Sequence, residues 1–135
     1  MKQVDRAVVE LANETLYLAF NGRDLREMDR LWADEHSTVC IHPGWQPLRG
    51  KEEIMASWRS IFGAQDAGDL INCHQPVVMS LSGMHLVTCY EQLGDGWLVA
   101  TNCFIEEAGR LRICYHQAGQ CMEAPDIDLP APTLQ

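Results

Sequence analysis

Positive charge is scarce in this chain of 135 residues. Lys and Arg together number ten against nineteen Asp and Glu, which leaves a net charge of −9. The few cations are not clustered, so a phosphate backbone would repel the chain and nucleic acid is not an expected partner. Long apolar runs are also missing: none approaches the ~20 residues that span a bilayer. The opening MKQVDRAVVELANETL carries charge from the start, where an export signal would place an apolar core. A cytoplasmic protein without a membrane partner is the expectation. CxxC pairs are absent too. The six cysteines, Cys40, Cys73, Cys89, Cys103, Cys114 and Cys121, lie mostly in strand-like segments and read as buried reduced thiols. Cys40 and His42 share one side of a short strand, yet no neighbouring His, Cys, Asp or Glu completes a coordination shell. Neither a metal nor a cofactor is therefore expected.

What is present is a globular composition, 47% hydrophobic and 21% charged, long enough for one domain with a buried core. Residues 4–20 carry Val4, Val8, Leu11, Ala12, Thr15, Leu16 and Ala19 at helical spacing, with a stop at Asn21-Gly22. Asp24 reads as the cap of a second helix bearing Leu25, Met28, Leu31 and Trp32. A short strand over 38–42 leads into the corner HPGWQPLRG. A helix over 51–62 then aligns Ile54, Met55, Trp58, Ile61 and Phe62. From residue 70 the period becomes two, predicting strands over 70–81, 84–92, 97–106 and 111–120 joined by glycine-bearing hairpin turns. The plan is α+β: three N-terminal helices packed into a strongly curved antiparallel sheet, as one domain over 1–122 followed by a Pro-rich extended tail over 123–135.

Hairpin register sorts the strand residues onto two faces. Pairing Glu107 with Arg110 sets Thr101 opposite His116 and Cys103 opposite Cys114. Pairing Gly94 with Trp97 and Leu81 with Met84 extends the register across the sheet. One face then holds Val77, Met79, Leu81, Met84, Leu86, Thr88, Tyr90, Val99, Thr101, Cys103, Ile105, Cys114 and His116. The other holds His74, Ser80, His85, Glu91, Asn102, Phe104, Tyr115 and Gln117. The first is the more apolar, so it is assigned to the interior. Tyr90, Thr101 and His116 then become polar groups in an oily space, each costing about 1–3 kcal/mol unless hydrogen-bonded. They satisfy one another or they meet a ligand.

The stretch NGRDLREMDRLWADEHSTVCIHPGWQPLRGKEEIMASW, with VATNCF and RLRICYHQAG, resembles the SnoaL-like group of the NTF2-like superfamily over about residues 4 to 120. HPGW followed by G-x-x-x-I-x-x-SW is its most specific part. The resemblance implies a cone with a deep pocket, Trp45 and Trp58 near its mouth, and a homodimer through the outer face of the sheet. Ketosteroid isomerase, a relative, uses a Tyr in the first helix, an Asp base after the first strand and an Asp in the next-to-last strand. Turn-to-turn matching sets these on Leu16 (beside Tyr17), on Ile41 or His42, and on Thr101. None of the three residue types is kept, which argues against steroid isomerisation by that route. Three readings follow. The pocket binds a small apolar molecule, through Tyr17, Trp45, Trp58, Tyr90, Thr101 and Cys103. Alternatively it is a small acid–base enzyme of isomerase, cyclase or dehydratase type, acting on a carbonyl- or hydroxyl-bearing substrate, with His42 and His116 moving protons. Or the domain is a dimeric assembly module.

Overall fold

A computed structural model describes residues 4–64 and 69–127. Its elements run α1 (Arg6–Asn21), α2 (Leu25–Leu31), β1 (Val39–Ile41), β2 (Leu48–Arg49), α3 (Lys51–Ala64), β3 (Ile71–Leu81), β4 (Met84–Leu93), β5 (Gly96–Glu107) and β6 (Arg110–Gln120). The three expected helices and the four long strands are all present, within a residue or two of the expected ends. Of the expected tail, residues 128–135 lie outside the described residues, and 123–127 form neither helix nor strand.

Local chemistry explains the helix boundaries. The Asp24 side chain caps α2 by accepting the Glu27 amide at 3.0 Å. α1 ends in a Schellman pattern, with Asp24 N–H donating to Ala19 O and Arg23 N–H to Phe20 O. The left-handed residue of that stop is Arg23, at φ +50°, while Gly22 stays helical at −83°. The inward stripe of α1 is Val9, Asn13, Leu16, Tyr17 and Phe20. Val8 and Leu11, expected on that stripe, are exposed.

One six-stranded curved sheet runs in the order β2-β1-β6-β5-β4-β3. It is not wholly antiparallel, because β1 lies parallel to β6 with Cys40 beside His116. The short β2, unexpected from the sequence, folds back on β1 with Cys40 opposite Leu48. Glu107 pairs with Arg110 across Ala108 (φ +51°) and Gly109 (φ +78°), the two positive angles of a type I′ turn. Leu81 pairs with Met84 as expected, whereas the middle hairpin closes as Leu93 with Gly96 and not Gly94 with Trp97.

The expected faces are inverted across β4 and β5. The core takes Val87, Cys89, Ala100 and Phe104, and Glu91 and Asn102 are buried on the same side. Tyr90, Thr101 and Cys103 alternate with these residues on the other side of the sheet, where Cys103 is nonetheless buried and Tyr90 and Thr101 are half-buried. Val77, Met79, Leu81 and Val99 are solvent-exposed on that outer side. His116 does point inward, for a reason the regular register lacks: β6 carries a bulge. Pairing passes from Phe104–Ile113 directly to Cys103–Tyr115, so Cys114 is an extra residue and Asn102, not Thr101, sits opposite His116.

Candidate functional site

The site begins at the HPGW corner. Trp45 N–H donates to His42 O at 2.9 Å across Pro43 and Gly44, and Gly44 has φ +82°. Pro at the second position and a left-handed Gly at the third are the signature of a type II turn. This turn brings the Trp45 ring edge-on to His42, with centroids 4.8 Å apart. The parallel register of β1 on β6 carries His42 toward His116, with ring centroids 6.4 Å apart. Trp58, on the buried side of α3, packs against both imidazoles at 4.7 and 6.2 Å.

These rings line a cavity of about 270 Å³ between the helices and the concave side of the sheet. α1 contributes Leu16, Tyr17 and Phe20 to its wall, and the strands contribute Ile71, Glu91, Leu93, Leu98 and Ala118. Five of the expected site residues, Tyr17, His42, Trp45, Trp58 and His116, therefore meet at one cavity. Tyr90, Thr101 and Cys103 do not take part.

A buried polar chain runs along the cavity wall. His116 Nδ1 lies 2.5 Å from Asn102 Oδ1, and Asn102 Nδ2 donates to Asn13 Oδ1 at 2.8 Å and to the Tyr17 hydroxyl at 3.0 Å. Tyr17 in turn donates to Glu91 Oε2 at 2.6 Å. Because the amide nitrogen of Asn102 faces Asn13 and Tyr17, its oxygen must accept, which fixes the His116 proton on Nδ1 and leaves Nε2 as a lone pair. Tyr17 has one proton and gives it to Glu91, so the Cys89 thiol 3.2 Å away acts as donor to the phenol oxygen. His42 is oriented by Ser57. That hydroxyl donates to Ile54 O at 2.6 Å and lies 2.9 Å from His42 Nε2, so Nε2 carries the imidazole proton.

Burial sets the charges. It lowers His42 to about 4 and, aided by the neighbouring His42, His116 to about 3, so both are neutral near pH 7. Burial also pushes the Glu91 carboxyl up to about 6, while the Tyr17 hydrogen bond pulls the other way. Burial, then the adjacent Glu91, keeps the Tyr17 phenol firmly protonated. Glu91 is 2% exposed, and its one hydrogen-bond partner among the described residues is neutral. The Trp58 indole N–H is likewise buried and unpartnered among them.

Glu91, Asn102 and Asn13 escaped the sequence reading. The first two fell on the strand face taken as outward, and Asn13 sits on a helix where Asn ordinarily marks an exposed position. Of the positions singled out by the isomerase resemblance, Leu16 and His42 line the cavity and Thr101 does not. The neighbours of Leu16 and Thr101, Tyr17 and Asn102, are hydrogen-bonded to one another.

Comparison with known proteins agrees with this architecture. A SnoaL-like domain family model matches residues 9–123. A proposed dehydratase of the NTF2-like family from Streptomyces avermitilis superposes with a TM-score of 0.78 at 26% identity, over 87% of this chain and 96% of that one. A proposed calcium/calmodulin-dependent protein kinase type II association domain from Thiobacillus denitrificans gives 0.73 at 31% identity, over 84% and 94%. The F-box protein SKIP8 of Arabidopsis thaliana is 27% identical over 115 residues, which is 84% of this chain and 49% of that protein, so the chain spans about half of that relative's length. With its three helices, curved sheet and matched span, the chain belongs to the SnoaL-like domain family, on the NTF2-like fold.

Proposed function

We propose that the cone binds a small, largely apolar molecule bearing a carbonyl or hydroxyl group and moves a proton on it, with Glu91 as the base. The observation that carries this reading is Glu91 itself. A carboxylate at the wall of an apolar cavity, opposite no cation among the described residues, is costly to keep and adds nothing to packing. Its proton affinity near neutrality suits a general base. Tyr17 orients it through one oxygen, leaving the other for substrate. The unpartnered Trp58 N–H is a donor for developing negative charge on the substrate oxygen, and neutral His116, held by Asn102, offers Nε2 as a hydrogen-bond acceptor to a substrate hydroxyl. The test is deuterium exchange beside the carbonyl of a panel of small ketones in D2O, followed by NMR. Wild type is expected to exchange at least one ketone 10²–10⁴ times faster than Glu91→Gln. Equal rates in the two proteins would remove Glu91 from the chemistry.

The outer face of the sheet supports a second role, as a homodimer interface. Val77, Met79 and Leu81 are 59%, 53% and 53% exposed along one strand, Met84 opposite Leu81 extends the apolar patch onto β4, and Val99 is exposed on β5. A sheet face of this character gains by burial against a second copy. Such a pairing leaves the cavity, on the opposite side of the sheet, open. Assembly is also what the name of the association-domain relative denotes, and the acid–base reading is compatible with it.

A further inference from the structure

We infer that the cone selects organic cations: the ligand carries an ammonium nitrogen flanked by apolar groups, set among the rings of Tyr17, Phe20, Trp45 and Trp58 and against the Glu91 carboxylate. The inference rests on the reading of the cavity as a ligand site and not on Glu91 as the base, since an ammonium group at the carboxylate lowers its proton affinity; it adds the charge of what enters. The first argument is the uncompensated carboxylate. Glu91 lines the cavity, and no Lys or Arg among the described residues lines it. Its single hydrogen bond among the described residues comes from a neutral phenol. A buried carboxylate is strongly favoured by an opposite charge within about 4–6 Å, and the described residues supply none in the cavity wall, so a ligand cation would be the missing partner.

The second argument is the wall itself. Four of its side chains are aromatic, and ring faces attract cations within about 6 Å of their centroids, most effectively where water is excluded. The two imidazoles add no repulsion, since both are neutral; Asn102 holds the proton of His116 on Nδ1 and leaves a lone pair on Nε2. The net charge of −9 draws cations toward the protein at long range. An anionic ligand would instead meet Glu91 with no counter-charge, so carboxylates and phosphates are excluded by the same geometry.

Three probes of one shape separate charge from size: choline, 3,3-dimethylbutan-1-ol and 3,3-dimethylbutanoate, which carry positive, zero and negative charge. Each is competed against prodan, a neutral naphthyl ketone, with its emission excited through the tryptophans. Choline is expected to displace prodan from wild type at concentrations at least tenfold below those of the alcohol, with the butanoate weakest. In Glu91→Gln, the choline and alcohol concentrations are expected to converge within about twofold. An alcohol equal to or better than choline on wild type, which needs no variant, overturns the inference. So does a tenfold preference that survives Glu91→Gln. Prodan bound but displaced by none of the three overturns the cation assignment and leaves the proposed function standing. No prodan binding removes the ligand reading and this inference together.

Discussion

Replacing Glu91 by Gln keeps the shape and the hydrogen bond to Tyr17 while removing the charge, and its effect on stability follows from the burial. The folded carboxyl takes up its proton near pH 6 against an ordinary value of 4.5. A folded value raised in this way gives stability that is fully present below pH 4.5 and is lost as pH rises through 6. Glu91 is 2% exposed, so solvent does little to screen it. At 1.36 kcal/mol per pH unit the loss in wild type amounts to about 2 kcal/mol at pH 8. Gln does not titrate, so Glu91→Gln matches wild type at pH 4.5 and exceeds it by about 2 kcal/mol at pH 8. For a chain of this length the unfolding entropy is about 0.28 kcal/mol/K, which converts the gain to roughly 7 °C in Tm. Calorimetric melts of both proteins at equal concentration from pH 4.5 to 8 measure the difference and cancel any titration they share. A variant that melts at or below wild type at pH 8 would mean the carboxylate is compensated in the fold, and the arguments built on its isolation would fail.

Other consequences are equally direct. Asn102→Leu strips three hydrogen bonds from the interior and leaves the His116 Nδ1–H and the Asn13 Oδ1 without a partner; roughly 2–5 kcal/mol of destabilisation is expected in urea titrations, and a cost under about 1 kcal/mol would contradict the network. Burial lowers His42 and His116 below their ordinary 6.5, to about 4 and about 3, so the folded state binds fewer protons than the unfolded chain and their stability contribution is lost as pH falls from about 6.5 toward those values. Their imidazole C2–H shifts are expected to stay flat from pH 7.5 to 5.5, and a midpoint near 6.5 for either would contradict the burial. The double variant Val77→Glu, Met79→Glu places like charges on the outer sheet face. Wild type is expected to sediment as a dimer at micromolar concentration and the variant as a monomer with an unchanged circular dichroism spectrum; a wild-type monomer would dismiss the face as an interface.

The architecture was readable because helical spacing, caps and hairpin turns are local signals. Asp24 capped the helix it was expected to cap, and the Glu107–Arg110 turn closed where the sequence placed it. Half of the site was readable for the same reason: Pro43-Gly44 dictates the turn that returns Trp45 over His42, and Trp58 follows from the α3 stripe. The other half was lost to a rule that usually works, that the more apolar face of a sheet goes inside. Here the apolar face is the outer one, with Val77, Met79 and Leu81 exposed, and the inner face carries Glu91, Asn102 and His116. Composition alone cannot separate an exposed apolar sheet face from one that fills a core.

The register failed where the sheet bends. Two bulges interrupt the ladders, one in β3 between His74 and Val77 with Gln75 at φ +52°, and one at Cys114 in β6. At each the inward set changes parity, from Ile71 and Cys73 to Val78 in β3 and from Ile113 to His116 and Ala118 in β6. A bulge adds twist and bends its strand, so these irregularities help roll the sheet into a concave surface deep enough to hold a cavity. The extra residue that curves β6 also lets Ile113 close the core while His116, three positions on, faces Asn102 and the cavity. A strictly alternating strand presents residues of one parity and could not do both. The curvature that makes room for the cavity and the parity change that brings His116 to its wall therefore share one cause, and this is why period-two reading is weakest at the point where the candidate site is built.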